Sequence, residues 1–414
     1  MLVVDDSRFM QMQISGILER AGFEVIGQAR NGLEAFRLNR IHQPDVITLD
    51  IMMPKMDGLE ALELIMSDRP VPVVIVSSYS RIGGPQAIRA LELGAVEILE
   101  KPSTGGISLD MDSISEELVN KVETAARVRV VRNLHIPPEM AEKRSKLLDE
   151  LDKELVERSA NPPVKESLGK RSELTKPVVK EPVAEPPVQR RNVSRSDDEV
   201  IRPKIVKAYK RPPCRHVPVT VIGGSTGAPG LLSQVLPRLK PGFKSIVLMV
   251  IHTPASFSRD LTVHLNQICD ITVTEAQQGM TAKQGNIYLA PGDRHLRMEA
   301  NRKLVLDDGP KINFHRPSVN TLFDSVAELS GPDTLGIVLT GMGQDGTDGA
   351  KSLHEAGGRI ITQDSDSCVV YGMPKSVYDA GYSDQVVDVD DIVDAIQAWP
   401  SWFAEKRYKK ESAK

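Results

Sequence analysis

The stretch Val219-Thr220-Val221-Ile222-Gly223-Gly224-Ser225-Thr226-Gly227 decides how the second half of this chain is read. Its apolar and β-branched start makes a short strand, and Gly223 to Gly227 fit a G-x-S-x-G turn that lifts a serine hydroxyl off the strand end. Two further apolar strands end on residues of complementary chemistry. Ser245 to Ile251 stops at His252, and Leu335 to Leu339 opens into Thr340-Gly341-Met342-Gly343-Gln344-Asp345-Gly346, whose glycines let the loop turn sharply and expose one carboxylate. In an open parallel sheet the carboxyl ends of the strands line one edge, so Ser225, His252 and Asp345 can converge there despite their separation in the chain.

A serine hydroxyl is a weak nucleophile near neutral pH and needs an adjacent base that a third group orients. Ser225, His252 and Asp345 supply those roles in an order that differs from the α/β-hydrolases, chymotrypsin and subtilisin, which disfavours a lipase-like fold. A helix starting near Pro229 would aim its free amides at the site, making the Thr226 amide a candidate oxyanion donor. Taken alone, the glycine turn suits a phosphate or dinucleotide equally well. It lacks the G-x-G-x-x-G spacing and a Walker lysine. His264, His295, His315 and His354 compete with His252 for the base role. His264 and His354 fall in helical patterns where a solvated or packed histidine is the default, while His295 and His315 follow loop segments and would shape a substrate cleft.

Outward from this edge, strands near 219, 246, 287, 336 and 359 alternate with helical patterns and define a second α/β domain over 217–400, followed by a basic tail, 401–414. The first 134 residues alternate in the same way, with strands at Leu2 to Val4, Glu24 to Gln28, Val46 to Leu49, Val73 to Val76 and Val96 to Leu99, and a last helix over Ile114 to Arg129. Both domains read as doubly wound parallel sheets. Residues 135–216 differ: 11 of these 82 residues are proline, 33 are charged and Tyr209 is the sole aromatic. Such a stretch buries too little apolar surface to offset its ordering entropy, so it reads as a long disordered linker with a transient charged helix over Glu139 to Glu157.

Bulk properties narrow the function. A net charge of -4 and a pI near 6.1 give no reason to expect binding to nucleic acid or an anionic membrane. No apolar run approaches the ~20 residues that span a bilayer, and no signal peptide is apparent. Cys214, Cys269 and Cys368 fit neither a disulfide framework nor a zinc site, and they suit a reducing, cytoplasmic compartment.

In the first domain Asp5 and Asp6 end the first strand, Asp50 the third, Ser77 the fourth and Lys101 the fifth. Clustered carboxylates repel one another and call for a cation, and hard oxygen ligands favour magnesium, Mg2+, on Asp5, Asp6 and Asp50. One Asp50 oxygen would remain free to attack phosphorus while Ser77 and Lys101 contact the phosphoryl oxygens. Each residue alone suits a blander role, a helix cap or a surface charge. The whole set, with Met53-Pro54 and Asp57-Gly58 after Asp50, resembles the receiver domain of two-component response regulators. The resemblance implies phosphorylation of Asp50 by a histidine kinase; Ile98 stands where many receivers have an aromatic switch residue.

The segment from about Val217 to Ala398 resembles the catalytic domain of chemotaxis protein-glutamate methylesterases of the CheB type. The resembling stretches are Ile222 to Gly227, His252-Thr253-Pro254, Ala290-Pro291-Gly292-Asp293, His315-Arg316-Pro317-Ser318-Val319, Leu339 to Gly346 and Cys368 to Pro374. Ala228 and Thr253 replace a glycine and a methionine common in that family, and the linker is longer than its usual hinge. The resemblance implies a triad on Ser225, His252 and Asp345 with Thr226 and Met342 adjoining it. It further implies hydrolysis of glutamate methyl esters and deamidation of glutamines on chemoreceptor cytoplasmic helices, without a metal or organic cofactor for the ester step. An unphosphorylated receiver would cover the ester-cleaving edge, and the protein would work in the cytoplasm at receptor arrays. Two alternatives are a phosphorylation-dependent binding protein with an inactive esterase site and a transcriptional regulator, the latter disfavoured by the lack of a helix-turn-helix pattern.

Overall fold

Short aliphatic runs form the strands of two parallel sheets, and amphipathic stretches between them form the covering helices. The computed structural model describes residues 1–77, 79–101, 109–128, 138–160, 217–313 and 315–401. In the amino-terminal half the order is β1 (Leu2–Val4), α1 (Arg8–Arg20), β2 (Gly27–Ala29), α2 (Gly32–His42), β3 (Ile47–Leu49), α3 (Gly58–Asp68), β4 (Val73–Ser77), α4 (Tyr79–Glu92), β5 (Glu97–Glu100) and α5 (Leu109–Ala126). The five strands are parallel in the order β2-β1-β3-β4-β5, with helices on both faces, so β1, β3 and β4 are buried throughout and are mostly apolar, with only Thr48 and Ser77 polar. Ser7, Asn31 and Asp57 cap α1, α2 and α3 through side-chain oxygens that accept a backbone amide from the first turn.

β2 begins later than the pattern predicts. The chain leaves α1 through Gly22, at φ +91°, and its register with β1 starts only at the Leu2–Gly27 pair, so Glu24 to Ile26 lead into the strand without joining it. A helix, α6 (Pro138–Ala160), occupies the start of the stretch expected to be linker and exceeds the predicted Glu139 to Glu157 segment at both ends. Its Lys143 pairs with Glu60 and its Arg144 donates to the Ser67 carbonyl at 2.8 Å, both on α3. The remainder of the predicted linker, the end of the predicted helix at Arg129, Cys214 and the tail beyond Ser401 lie outside the described residues.

The carboxyl-terminal half runs β6 (Val219–Gly224), α7 (Ala228–Val235), β7 (Ile246–Ile251), α8 (Ala255–Ile268), β8 (Val273–Glu275), β9 (Ile287–Leu289), β10 (His295–Glu299), β11 (Lys303–Asp307), α9 (Val319–Ser330), β12 (Thr334–Val338), α10 (Thr347–Glu355), β13 (Arg359–Gln363), α11 (Met373–Asp379), β14 (Gln385–Val387) and α12 (Val389–Ala398). Seven parallel strands lie in the order β14-β13-β12-β6-β7-β9-β8, and β10 and β11 form a separate antiparallel hairpin. The chain enters at β6, adds β7, β8 and β9 on one side with β9 inserted between β7 and the edge strand β8, then returns to the other side of β6 with β12 to β14. Connections therefore diverge between β6 and β12, and a crevice opens at the carboxyl ends there. The core beneath is apolar, with Val221, Leu248, Val319, Phe323 and Val338 among its members. Among the described residues, no helix is long and apolar enough to cross a membrane.

Candidate active site and acidic pocket

Strand register brings the predicted residues to one edge. Gly224 pairs with Ile251 across β6 and β7, and Gly223 pairs with Val338 across β6 and β12. Ser225 and His252 each follow the last paired residue of adjacent strands, which lie about 4.8 Å apart in a sheet. The ladder continues one step past the strands, with the His252 amide on the Gly224 carbonyl at 3.2 Å and the Ser225 amide on the Thr340 carbonyl at 3.0 Å. Behind the serine, a Cβ on Gly341 would lie 2.8 Å from the Ser225 Cβ and 2.4 Å from the Met373 Sδ, so only glycine fits. Gly227, at φ +81°, completes the turn into α7.

The His252 imidazole meets the Asp345 carboxylate with Nε2 and Oδ2 2.8 Å apart. Asp345 is buried and also accepts three bonds from the entry of α9: the Val319 amide at 2.7 Å, the Asn320 amide at 3.1 Å and the Ser318 hydroxyl at 2.8 Å. Burial alone would raise its pKa. The His252 hydrogen bond and charge, with the Val319 and Ser318 donors, outweigh it and hold the carboxyl below its usual value. An ionised Asp345 accepts, so the His252 Nε2 carries a proton, and in the neutral ring the lone pair is then on Nδ1. That Nδ1 is buried and makes no hydrogen bond among the described residues.

The competing histidines separate by their contacts. His295 is buried, accepts from the Ser318 amide at Nδ1 (3.1 Å) and faces the Pro310 carbonyl with Nε2 (3.0 Å). Both nitrogens are used, so His295 braces the loop that carries the Asp345 donors. His315 stacks on His252 with ring centroids 3.7 Å apart and planes 7° apart. His264 pairs with Glu92 at 3.1 Å, and His354 lies tilted against Tyr382.

At the receiver-like edge, Asp5, Asp50, Ser77 and Lys101 are buried and Asp6 is exposed. The Lys101 ammonium lies 2.6 Å from Asp5 and 2.5 Å from Asp50, and the Ser77 hydroxyl donates to the other Asp50 oxygen. Oxygens of Asp5, Asp6 and Asp50 lie within 4.8 Å of one another. Burial pushes the Asp5 carboxyl above its usual pKa even though Lys101 pulls it down, and Asp50 adds repulsion. Three carboxylates against one ammonium leave excess negative charge on hard oxygen donors, which suits a divalent cation such as magnesium.

Comparison with known proteins bears on both halves. The family described as CheB methylesterase matches residues 220–396, and the response regulator receiver domain family matches residues 1–106. Protein-glutamate methylesterase/protein-glutamine glutaminase 2 of Nitratidesulfovibrio vulgaris is 36% identical over 399 residues, spanning 95% of this chain and 97% of that protein. The chain belongs to the protein-glutamate methylesterase/protein-glutamine glutaminase family. The Symbiobacterium thermophilum member is 37% identical over 95% of each chain. The crystallised CheB methylesterase catalytic domain of Thermotoga maritima is 40% identical over 44% of this chain and 97% of its own, with a TM-score of 0.43.

In this methylesterase family member the receiver and the carboxyl-terminal half share contacts at the serine turn. The Thr226 hydroxyl donates to Glu97 on β5, the Thr124 hydroxyl on α5 donates to the Met342 sulfur, and Ser225, Thr226 and His252 line one cleft with Glu97, Ile98 and Lys121. Thr226 is buried, whereas Met342 is 44% exposed. Ser318, Val319 and Asn320 escaped the sequence reading as partners of Asp345. Ser318 and Val319 stand out only as part of a family-like stretch, and all three lie at the start of an amphipathic helix, where free amides favour an anion. Nothing in the sequence announces the stack of His315 on His252.

Proposed function

We propose that this protein is a phosphorylation-regulated serine hydrolase that cleaves glutamate methyl esters, and deamidates glutamines, on the cytoplasmic helices of chemoreceptors during sensory adaptation. One observation carries the reading: the His252–Asp345 pair leaves a buried, unpartnered Nδ1 at the end of the strand beside the one that presents Ser225. The Ser225 hydroxyl attacks the ester carbonyl as His252 Nδ1 takes its proton, and Asp345 stabilises the imidazolium that forms. Amides at the α7 turn, that of Thr226 first, and in the Met342 loop stabilise the oxyanion. His252 returns the proton to the leaving alkoxide, and methanol departs. Water, deprotonated by the same imidazole, hydrolyses the acyl-enzyme to free glutamate; a glutamine substrate releases ammonia instead. These steps use only side chains and amides of the chain.

Regulation begins at Asp50, which accepts a phosphoryl group from a histidine kinase while Ser77 and Lys101 contact its oxygens. Asp5, Asp6 and Asp50 would hold a magnesium ion, which when bound supplies positive charge to the phosphoryl oxygens. The contacts of Glu97 with Thr226 and of Thr124 with Met342 support a receiver that covers the ester-cleaving edge until it is phosphorylated. The enzyme acts in the cytoplasm, at receptor arrays.

Methanol release from methylated receptor membranes tests the reading. The wild-type chain supplied with a phosphodonor releases methanol and Ser225→Ala does not. Equal release by both would overturn the serine mechanism, and full signalling output from Ser225→Ala cells would point to a binding role.

A further inference from the structure

One hydrogen bond fixes one atom of a ring. With Cβ tethered to the strand end and Nε2 held by Asp345, the tilt of the His252 plane is left to whatever packs on its faces, and that tilt sets where Nδ1 points relative to the neighbouring strand that carries Ser225. A second contact must set the plane, and His315 provides it, its ring lying parallel to that of His252 at 3.7 Å. His315 comes from the loop between β11 and α9, and the loop is tied down on both sides of it. The His315 amide donates to the Ile312 carbonyl at 2.9 Å and the Ile312 amide donates back at 3.0 Å. The Arg316 guanidinium donates to the Asp308 and Gly309 carbonyls at 2.9 and 3.0 Å, and the Asp293 amide holds the Arg316 carbonyl at 3.1 Å.

Building on the serine-hydrolase reading, we propose that His315 is a positioning residue for the reaction: its neutral ring clamps one face of His252, keeps Nε2 on Asp345 and Nδ1 toward Ser225, and offers its π face when His252 becomes an imidazolium. A cation held over an aromatic face is stabilised by the ring quadrupole, most strongly where water is excluded. This works only if His315 stays uncharged, since two stacked imidazolium rings repel. The groups around it enforce that: burial comes first, the His252, Lys121 and Lys311 charges push in the same direction, Asp345 opposes them, and the His315 pKa falls to about 4.

The test uses the full-length chain with a small-molecule phosphodonor and methylated receptor membranes, comparing wild type, Ser225→Ala, His315→Ala and His315→Phe. His315→Ala lowers kcat roughly tenfold or more with KM changed less than about twofold, because orientation rather than substrate binding is lost. His315→Phe keeps a flat aromatic face and recovers most of the rate. Its kcat profile keeps the acidic limb of the wild type between pH 5 and 9, above the range where His315 would titrate. Nitrogen NMR of His252 shows one tautomer, protonated at Nε2, in wild type and His315→Phe, and a mixture in His315→Ala; this readout stands even if His315→Ala melts early. Wild-type turnover in His315→Ala, or a His315→Phe as slow as His315→Ala, overturns the proposal. Activity surviving in Ser225→Ala would instead remove the reading beneath it, so the two failures are distinct.

Discussion

The Thr226 hydroxyl, on the residue after Ser225, donates to a carboxylate oxygen of Glu97 on the receiver strand β5, and the other oxygen of Glu97 binds Lys121 at 2.9 Å. The receiver thus touches the serine turn one residue from the proposed nucleophile. A hydrogen bond to a charged group contributes about 1.5–3 kcal/mol. Glu97→Gln, which keeps the shape and removes the charge, should raise methanol release without phosphodonor by about tenfold. It should also shrink the stimulation that phosphodonor brings. An unchanged basal rate would remove this contact from the regulation.

Asp345→Asn should lower kcat by about four orders of magnitude, the scale of a misassigned base tautomer in Ser-His-Asp enzymes. It should also alter acid stability. The Asp345 pKa lies below its ordinary 3.8, so the ionised group stabilises the fold above that value, and the contribution is lost as pH falls through the folded pKa. Acid titration followed by circular dichroism should show Asp345→Asn less stable at neutral pH, with the gap to wild type closing below about pH 4. A gap that persists into strong acid would contradict this.

Gly341→Ala tests the close approach behind the serine. Its new methyl would stand 2.8 Å from the Ser225 Cβ and 3.0 Å from the Ser225 nitrogen. Overpacking of this kind costs about 1–3 kcal/mol. Activity should fall further than stability, because the part that must move is the nucleophile turn. A variant with unchanged kcat would show that the turn adapts.

The Asp5 shift has the opposite sign to that of Asp345. A carboxyl raised by burial weakens the fold when ionised, and stability is regained as pH falls through its folded pKa. Asp5→Asn should therefore melt at a higher temperature than wild type at pH 7 without magnesium, and its melting point should respond less to added magnesium. Calorimetry with and without the ion reads both effects, and a wild-type response to magnesium would exclude Asp5 as a ligand.

Much of this arrangement was legible because most of the candidate residues fall at or just past the end of a strand, and strand ends of a parallel sheet share an edge. Ser225, His252, Asp50, Ser77 and Lys101 all obey that rule. The weaker elements did not declare themselves. β8 reads Val273-Thr274-Glu275 and β14 reads Gln385-Val386-Val387, short segments with too little apolar character to stand out, and Val386 is left 42% exposed. β10 alternates buried Leu296 and Met298 with Arg297 and Glu299, but it comes after Ala290-Pro291-Gly292-Asp293, whose turn signals masked it. The donors on Asp345 and the His315 stack join segments whose pairing depends on how the loop before α9 folds back, which neither periodicity nor spacing encodes.

Asp345 is at once the partner of His252 and the anion on which the first turn of α9 closes. The carboxylate proposed to orient the base is therefore also a keystone of the domain. A descendant that kept this architecture but gave up hydrolysis would be expected to discard the serine or the imidazole and retain the aspartate, so an aspartate found here without its partners would be a relic of folding rather than a trace of activity.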